Sequence, residues 1–299
     1  MSVIIMRNTF LFIATLLCWS PTWYIIKFQL GYIDPLISVF YRIALAAAIL
    51  FFILILTKKS LRFNLNQHLW FSMLGLCLFS FNYIFFYLAN TYLISGVVTI
   101  AFSTNLIFNI VGEKIIYKVN ASASTWMAAL FGLIGILIIF NNEIFHFNPN
   151  DKTHIGIALS FVATFFWSCG NMIHIRNAKN KLPFFPSIAY AMLYGSILTL
   201  VAAKVRGAEI LFDFSFAYIS ALLFLSIFGT VVAFYLYLTL LNNIGPGRAG
   251  YVGVLMPVLA LLISTHFENL EWSNNLIIGL PILIAGSVLI LNQKAKLAS

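Results

Sequence analysis

Residues 19–35 read WSPTWYIIKFQLGYIDP, and residues 167–183 read WSCGNMIHIRNAKNKLP. Each stretch sets a Trp-Ser pair in an apolar run, follows it with a cation (Lys27, Arg176) and closes on a proline (Pro35, Pro183). The two lie about 148 residues apart, so the chain repeats itself. Nearly everything between the repeats is apolar. Of 299 residues 62% are hydrophobic and 8% charged, whereas soluble domains carry about 25% charged residues.

A spanning helix needs ~20 mostly apolar residues, and ten windows qualify: 8–28, 35–56, 69–91, 95–117, 124–141, 154–175, 184–204, 215–241, 247–267 and 274–292. The fold class expected is an all-α membrane protein of ten transmembrane helices. The first window is too long for the core of a signal peptide and no small-residue cleavage site follows it, so it reads as a retained helix. Cys18, Cys77 and Cys169 all fall inside spans without a C-x-x-C spacing. They predict neither a disulfide framework nor a metal site, and no cofactor is expected.

The net charge of +9 would suit nucleic acid if it were clustered on a surface. It is distributed by span instead. Arg7, Lys58, Lys59, Arg62, Lys114, Lys118, Arg176, Lys179, Lys181, Arg248, Lys294 and Lys296 fall on one side, twelve of seventeen basic residues. Asp34, Glu143, Asp151, Glu209, Asp213, Glu268 and Glu271 fall on the other, leaving only Glu113. The positive-inside rule then predicts both termini in the cytoplasm, in agreement with an even span count. The basic surplus reads as a topology signal, with the lipid bilayer as partner and no nucleic acid.

Cut near residue 150, the chain gives two halves, 1–150 and 151–299, of five spans each. An odd number per half inverts the second copy in the membrane. Inverted repeats of this kind are the usual design of secondary transporters, and they supply two related conformations of opposite openness.

Several motifs resemble one known family. The opening runs from Trp19-Ser20 to Lys27, then Asp34-Pro35, then Tyr41-Arg42-Ile43-Ala44 with Ala46 to Ala48. Span six runs from Gly156 through Trp167 to Asn171. The strongest stretch is Phe228-Gly229-Thr230 through Tyr235, Ile244-Gly245-Pro246-Gly247-Arg248-Ala249, Met256-Pro257-Val258 and Glu268, on to Gly279 and Gly286. In order and spacing these are similar to the drug/metabolite transporter superfamily, in its EamA-type branch of ten-helix carriers. The resemblance covers nearly the whole chain. It departs at Ser20-Pro21, where Trp-Gly is common, and in span four, which has Asn105 near the place of a usual proline. What it implies is export of amino acids or other small metabolites across a bacterial inner membrane.

Arg42 is the most telling candidate. It sits about two turns into span two, where a cation is costly unless it faces protein or a water-filled cavity. The alternative is an arginine snorkelling to the interface. Lys27, at the end of span one, suits snorkelling. Trp19 and Trp167 lie mid-span, away from the interfacial belt where tryptophan gathers, and are expected as walls of a central cavity or as packing residues. Asn82, Tyr83, Asn105, Asn109 and Asn171 are polar groups inside spans and must hydrogen-bond. Tyr235, Tyr237 and Tyr251 add hydroxyls and rings. The substrate-binding set expected is Trp19, Arg42, Asn82, Tyr83, Asn105, Trp167, Asn171, Tyr235 and Tyr251. Pro21, Pro257 and Pro281 fall inside predicted helices and invite kinks, with Pro257 the expected hinge.

Other classes fit less well. An intramembrane enzyme needs a nucleophile with a base or a metal cluster. The chain has neither H-E-x-x-H nor G-x-S-x-G, and His68, His146, His154, His174 and His266 are scattered at span ends and loops. Gly245–Gly250 fits G-x-G-x-x-G but has no preceding strand. Asn120-Ala-Ser122 fits a glycosylation acceptor but falls on the cytoplasmic side. Nucleotide sugars and other phosphate esters require several cations, and the spans offer Arg42 and at most Lys27. A lipophilic-cation carrier and a passive channel remain alternatives. Whether protons take part is open, although no Asp or Glu lies mid-span.

Overall fold

A computed structural model describes residues 2–141 and 152–291. Glu143, His146, Asp151, Lys294 and Lys296 lie outside the described residues. Among the described residues ten helices follow in sequence: α1 Ser2–Ile25, α2 Pro35–Leu56, α3 Leu65–Asn90, α4 Ser95–Tyr117, α5 Ala123–Ile139, α6 Thr153–Lys179, α7 Phe184–Val205, α8 Phe216–Ile244, α9 Pro246–Phe267 and α10 Asn274–Leu291. No strand occurs among the described residues. Eight helices are long and apolar enough to cross a membrane; α5 and the described part of α10 are shorter apolar helices.

Local chemistry sets the helix starts. Asp34 caps α2, its carboxylate accepting from the Leu36 amide at 2.8 Å, and Pro35 takes the first helical position. Asn64 and Gln67 form a reciprocal capping box at α3. Ser122 and Ser215 cap α5 and α8. Pro21, Pro257 and Pro281 are all accommodated inside helices. The first helix ends sooner than hydropathy predicts, tightening into a 3₁₀ turn over Ile26–Gln29.

The packing repeats itself between the halves. α1 packs on α9 and α6 on α4; α1 packs on α8 and α6 on α3; α2 meets α7 and α5 meets α10. Adding five to each helix number maps this set of pairs onto itself, as a two-fold axis between inverted halves requires. Small residues permit the close α5–α10 contact: a Cβ on Gly135 would lie 2.8 Å from the Gly279 carbonyl oxygen, and one on Gly279 would lie 2.7 Å from that of Gly135. Large apolar side chains such as Phe10, Leu17, Phe52, Leu56 and Leu130 are exposed on the outside, as a lipid-facing surface demands.

Both halves also break their helical rhythm at the same place. α3 carries a π segment at Gly75–Phe81 and α8 one at Ile227–Val232. Each is bonded to a helix of the other half, Ser80 accepting from Thr199 of α7 and Thr230 from Arg42 of α2. Such segments are rare, and recur at functional sites.

Candidate functional site

A narrow cleft of about 50 Å³ lies between the halves. Trp19, Thr22 and Trp23 line it from α1, Ile26 from the 3₁₀ turn that follows, Arg42 from α2, and Asn82, Tyr83, Phe86 and Tyr87 from α3. Phe102, Trp167, Phe234 and Met256 complete it from α4, α6, α8 and α9.

Arg42 does not snorkel: it is 2% exposed. Its Nε donates to Thr230 Oγ1 at 3.0 Å, Nη2 to the Gly229 carbonyl at 3.3 Å and Nη1 to the Tyr87 hydroxyl at 3.3 Å. The guanidinium carbon lies 4.7 Å from the centre of the Tyr83 ring. Tyr87 passes its own proton to Gln29 Oε1 at 2.7 Å. The approach of α8 depends on Gly229, where a Cβ would fall 2.7 Å from the Thr22 methyl and 3.1 Å from Arg42 Nη2. Among the described residues no carboxylate pairs with Arg42; the one ion pair joins Lys27 to Glu268. A guanidinium has five N–H donors, so these three bonds, with the Tyr83 hydroxyl also close by, do not use them all.

Trp19 and Trp167 meet at the base of the cleft, ring centres 5.2 Å apart and near perpendicular. Tyr237 lies 5.0 and 5.2 Å from the two indoles, and Phe234 lies 5.4 and 5.5 Å from them. The Trp19 indole donates to the Gly229 carbonyl at 3.1 Å, so this oxygen serves both Trp19 and Arg42. Trp23 donates to Met256 Sδ at 2.7 Å.

Below this floor the asparagines form one network. Asn109 Oδ1 accepts from Ser168 Oγ at 2.8 Å and Asn171 Nδ2 at 3.2 Å. Asn171 also donates to the Tyr237 hydroxyl at 3.0 Å, and Asn109 to the Pro246 carbonyl at 3.2 Å. Asn105 Nδ2 donates to the Phe102 carbonyl at 2.9 Å. The network ties α4, α6, α8 and α9 together beneath the cleft.

The structure thus brings Trp19, Arg42, Asn82, Tyr83 and Trp167 into one cleft and sets Asn105 and Asn171 just below it. Tyr251 is buried in the first turn of α9 and Pro257 follows the cleft residue Met256, but neither lines the cleft. Tyr235 points away. It is 44% exposed and stacks on Phe185, because Tyr237, two residues along the helix, takes the inward face. Sequence reasoning did not single out Tyr87 or Thr230. Tyr87 follows Tyr83 by one helical turn, the spacing that places both on one face.

Lys27 does more than reach an interface. It donates to the Asn90 and Leu93 carbonyls at 2.9 and 2.8 Å and faces Glu268 at 3.8 Å. Glu268 accepts from Ser95 Oγ and, at 2.6 Å, from Ser264 Oγ. At the opposite end Glu113 accepts from the Gly247 amide at 3.0 Å.

The chain matches the EamA-like transporter family over residues 6–141 and again over 154–292, and belongs to it. It is a multi-pass membrane transporter of this type. An uncharacterized transporter of Clostridium kluyveri is 24% identical over 242 residues, 80% of this chain and 76% of that protein. The uncharacterized transporter YoaV of Bacillus subtilis is 24% identical over 92% of this chain and 93% of its own. The uncharacterized inner membrane transporter YedA of Escherichia coli is 22% identical over 87% and 84%. A solved crystal structure superposes with a TM-score of 0.69 over 95% of this chain and 96% of its own at 16% identity, a shared fold.

Proposed function

We propose that this protein is an alternating-access carrier for a small amphipathic metabolite that bears a carboxylate, the broad class that includes amino acids. The observation behind this reading is Arg42, a buried guanidinium in an aromatic cleft between the halves, with donor capacity to spare and no acidic partner among the described residues. A carboxylate accepts two parallel N–H bonds from such a fork. Arg42 is also the one charged side chain lining the cleft, which disfavours polyanions such as nucleotide sugars. The halves that rock against each other are residues 1–150 and 151–299, with Pro257 as a hinge in α9. The positive-inside pattern supports cytoplasmic termini, and the printed name of YedA supports the inner membrane. Export is the direction the family resemblance implies.

The test is counterflow of pooled labelled carboxylates in proteoliposomes, with and without a pH gradient. Saturable exchange is expected in the native protein, and its loss in Arg42→Ala with an unchanged monodisperse elution profile. Normal exchange by a folded Arg42→Ala variant would remove Arg42 from the site.

A further inference from the structure

We propose that the cleft selects a monocarboxylate whose remainder is uncharged and aromatic or apolar, in preference to the zwitterionic amino acid with the same side chain. This inference rests on the carboxylate reading of Arg42.

The argument is one of charge. The lining holds a single formal charge, the Arg42 cation. A bound monocarboxylate cancels it, leaving a neutral cleft walled by Trp19, Trp23, Phe86, Phe102, Trp167 and Phe234. A bound zwitterion leaves the cleft with a net positive charge. Its ammonium stands one carbon from the carboxylate, so it sits in the like-charged field of Arg42, and in apolar surroundings that field is weakly screened. Burying an ion without a counter-charge is strongly unfavourable.

Nor does the lining, among the described residues, supply an anionic acceptor for an ammonium. No Asp or Glu lines the cleft. The Thr22 hydroxyl donates to the Trp19 carbonyl, Met256 Sδ receives the Trp23 indole N–H, and the Gly229 carbonyl already receives both Trp19 and Arg42. Asn82 gives its Nδ2 to the Ala163 carbonyl, so the acceptors left in the lining are its amide oxygen and the hydroxyl oxygens of Thr22, Tyr83 and Tyr87, all of them neutral. The aromatic walls, by contrast, match an apolar ring or chain.

The experiment uses the full chain in nanodiscs, titrated with 3-phenylpropanoate, L-phenylalanine and 2-phenylethylamine and read by tryptophan fluorescence, since three of its six tryptophans line the cleft. Counterflow of the same probes in proteoliposomes is the second readout. The acid is expected to bind and exchange at least tenfold better than phenylalanine, and the amine not to bind. Arg42→Gln should lose acid binding tenfold or more, and Arg42→Lys, which keeps the charge, should preserve the order of acid over zwitterion. If phenylalanine binds as well as the acid or better, this inference fails while the carboxylate reading stands. If neither carboxylate binds, both fail together.

Discussion

The two ends of the α4–α9 pair solve one problem with unequal strength. At each end a carboxylate from the last turn or cap of one helix meets the N-terminus of the other, where free amides and the helix dipole favour an anion. At the Lys27 end, Glu268 gathers the Ser95 amide at 3.4 Å, two serine hydroxyls and the Lys27 ammonium, while Ser264 also accepts from the Gly96 amide at 3.0 Å. At the other end Glu113 accepts from the Gly247 amide and Asn109 donates to the Pro246 carbonyl, with Arg248 and Lys179 near enough to attract the carboxylate but not paired with it. Arg176 lies 3.7 Å above Trp70 and Lys179 3.9 Å above Tyr117. The difference teaches that inverted repeats need not be energetically symmetric. The same contact is a charge-assisted latch of several bonds at one end and a lighter pair of bonds at the other, so the Glu113 end should part first.

The largest effect is expected from Glu268→Ala, which leaves Lys27 facing only carbonyls. Losing charge-assisted bonds of this kind costs roughly 1–3 kcal/mol, or about ten- to a hundredfold in an opening equilibrium. Alkylation of Ile26→Cys by an impermeant maleimide, in a background lacking the three native cysteines, should accelerate at least tenfold. An unchanged rate would mean that this cluster does not hold the Lys27 end. Glu113→Ala should do less at its own end: alkylation of Ile110→Cys should rise about threefold, matching ~0.7 kcal/mol. A response equal to that of Glu268→Ala would break the asymmetry. The smallest effect belongs to Trp70→Leu, which removes the ring under Arg176. A partly exposed cation–π contact is worth ~0.5–1 kcal/mol, so the melting temperature should drop by about 1–4 °C while transport stays within twofold.

Much of this fold is legible in the sequence. Windows 35–56 and 95–117 coincide with α2 and α4, because Asp34-Pro35 marks a helix start and hydropathy falls sharply at both edges. The faces of the helices are harder to read. In water an apolar stripe marks the side that packs inward, but a helix in lipid is apolar all round. Only polar residues then report the inward face. Arg42, Asn82 and Asn171 do so, whereas Tyr235 and Tyr237 carry the same chemistry on opposite sides of one helix. The π segments are invisible to composition, since they arise from packing against α7 and α2. The links from Glu268 to Ser95 and from Glu113 to Gly247 are equally hidden, since each joins residues more than a hundred positions apart.

The cation in this cleft has an electrical consequence. A carrier that exposes Arg42 first to one side and then to the other moves a positive charge through the membrane field whenever it returns empty. Across 100 mV one charge is worth about 2.3 kcal/mol if it crosses the whole field, roughly a fifty-fold bias. With the cell interior negative, that bias turns the vacant site toward the cytoplasm, where an anion can load. If its cargo is an anion, as proposed, the loaded site is neutral and crosses indifferent to the voltage, so the resting potential biases the cycle through a single arginine.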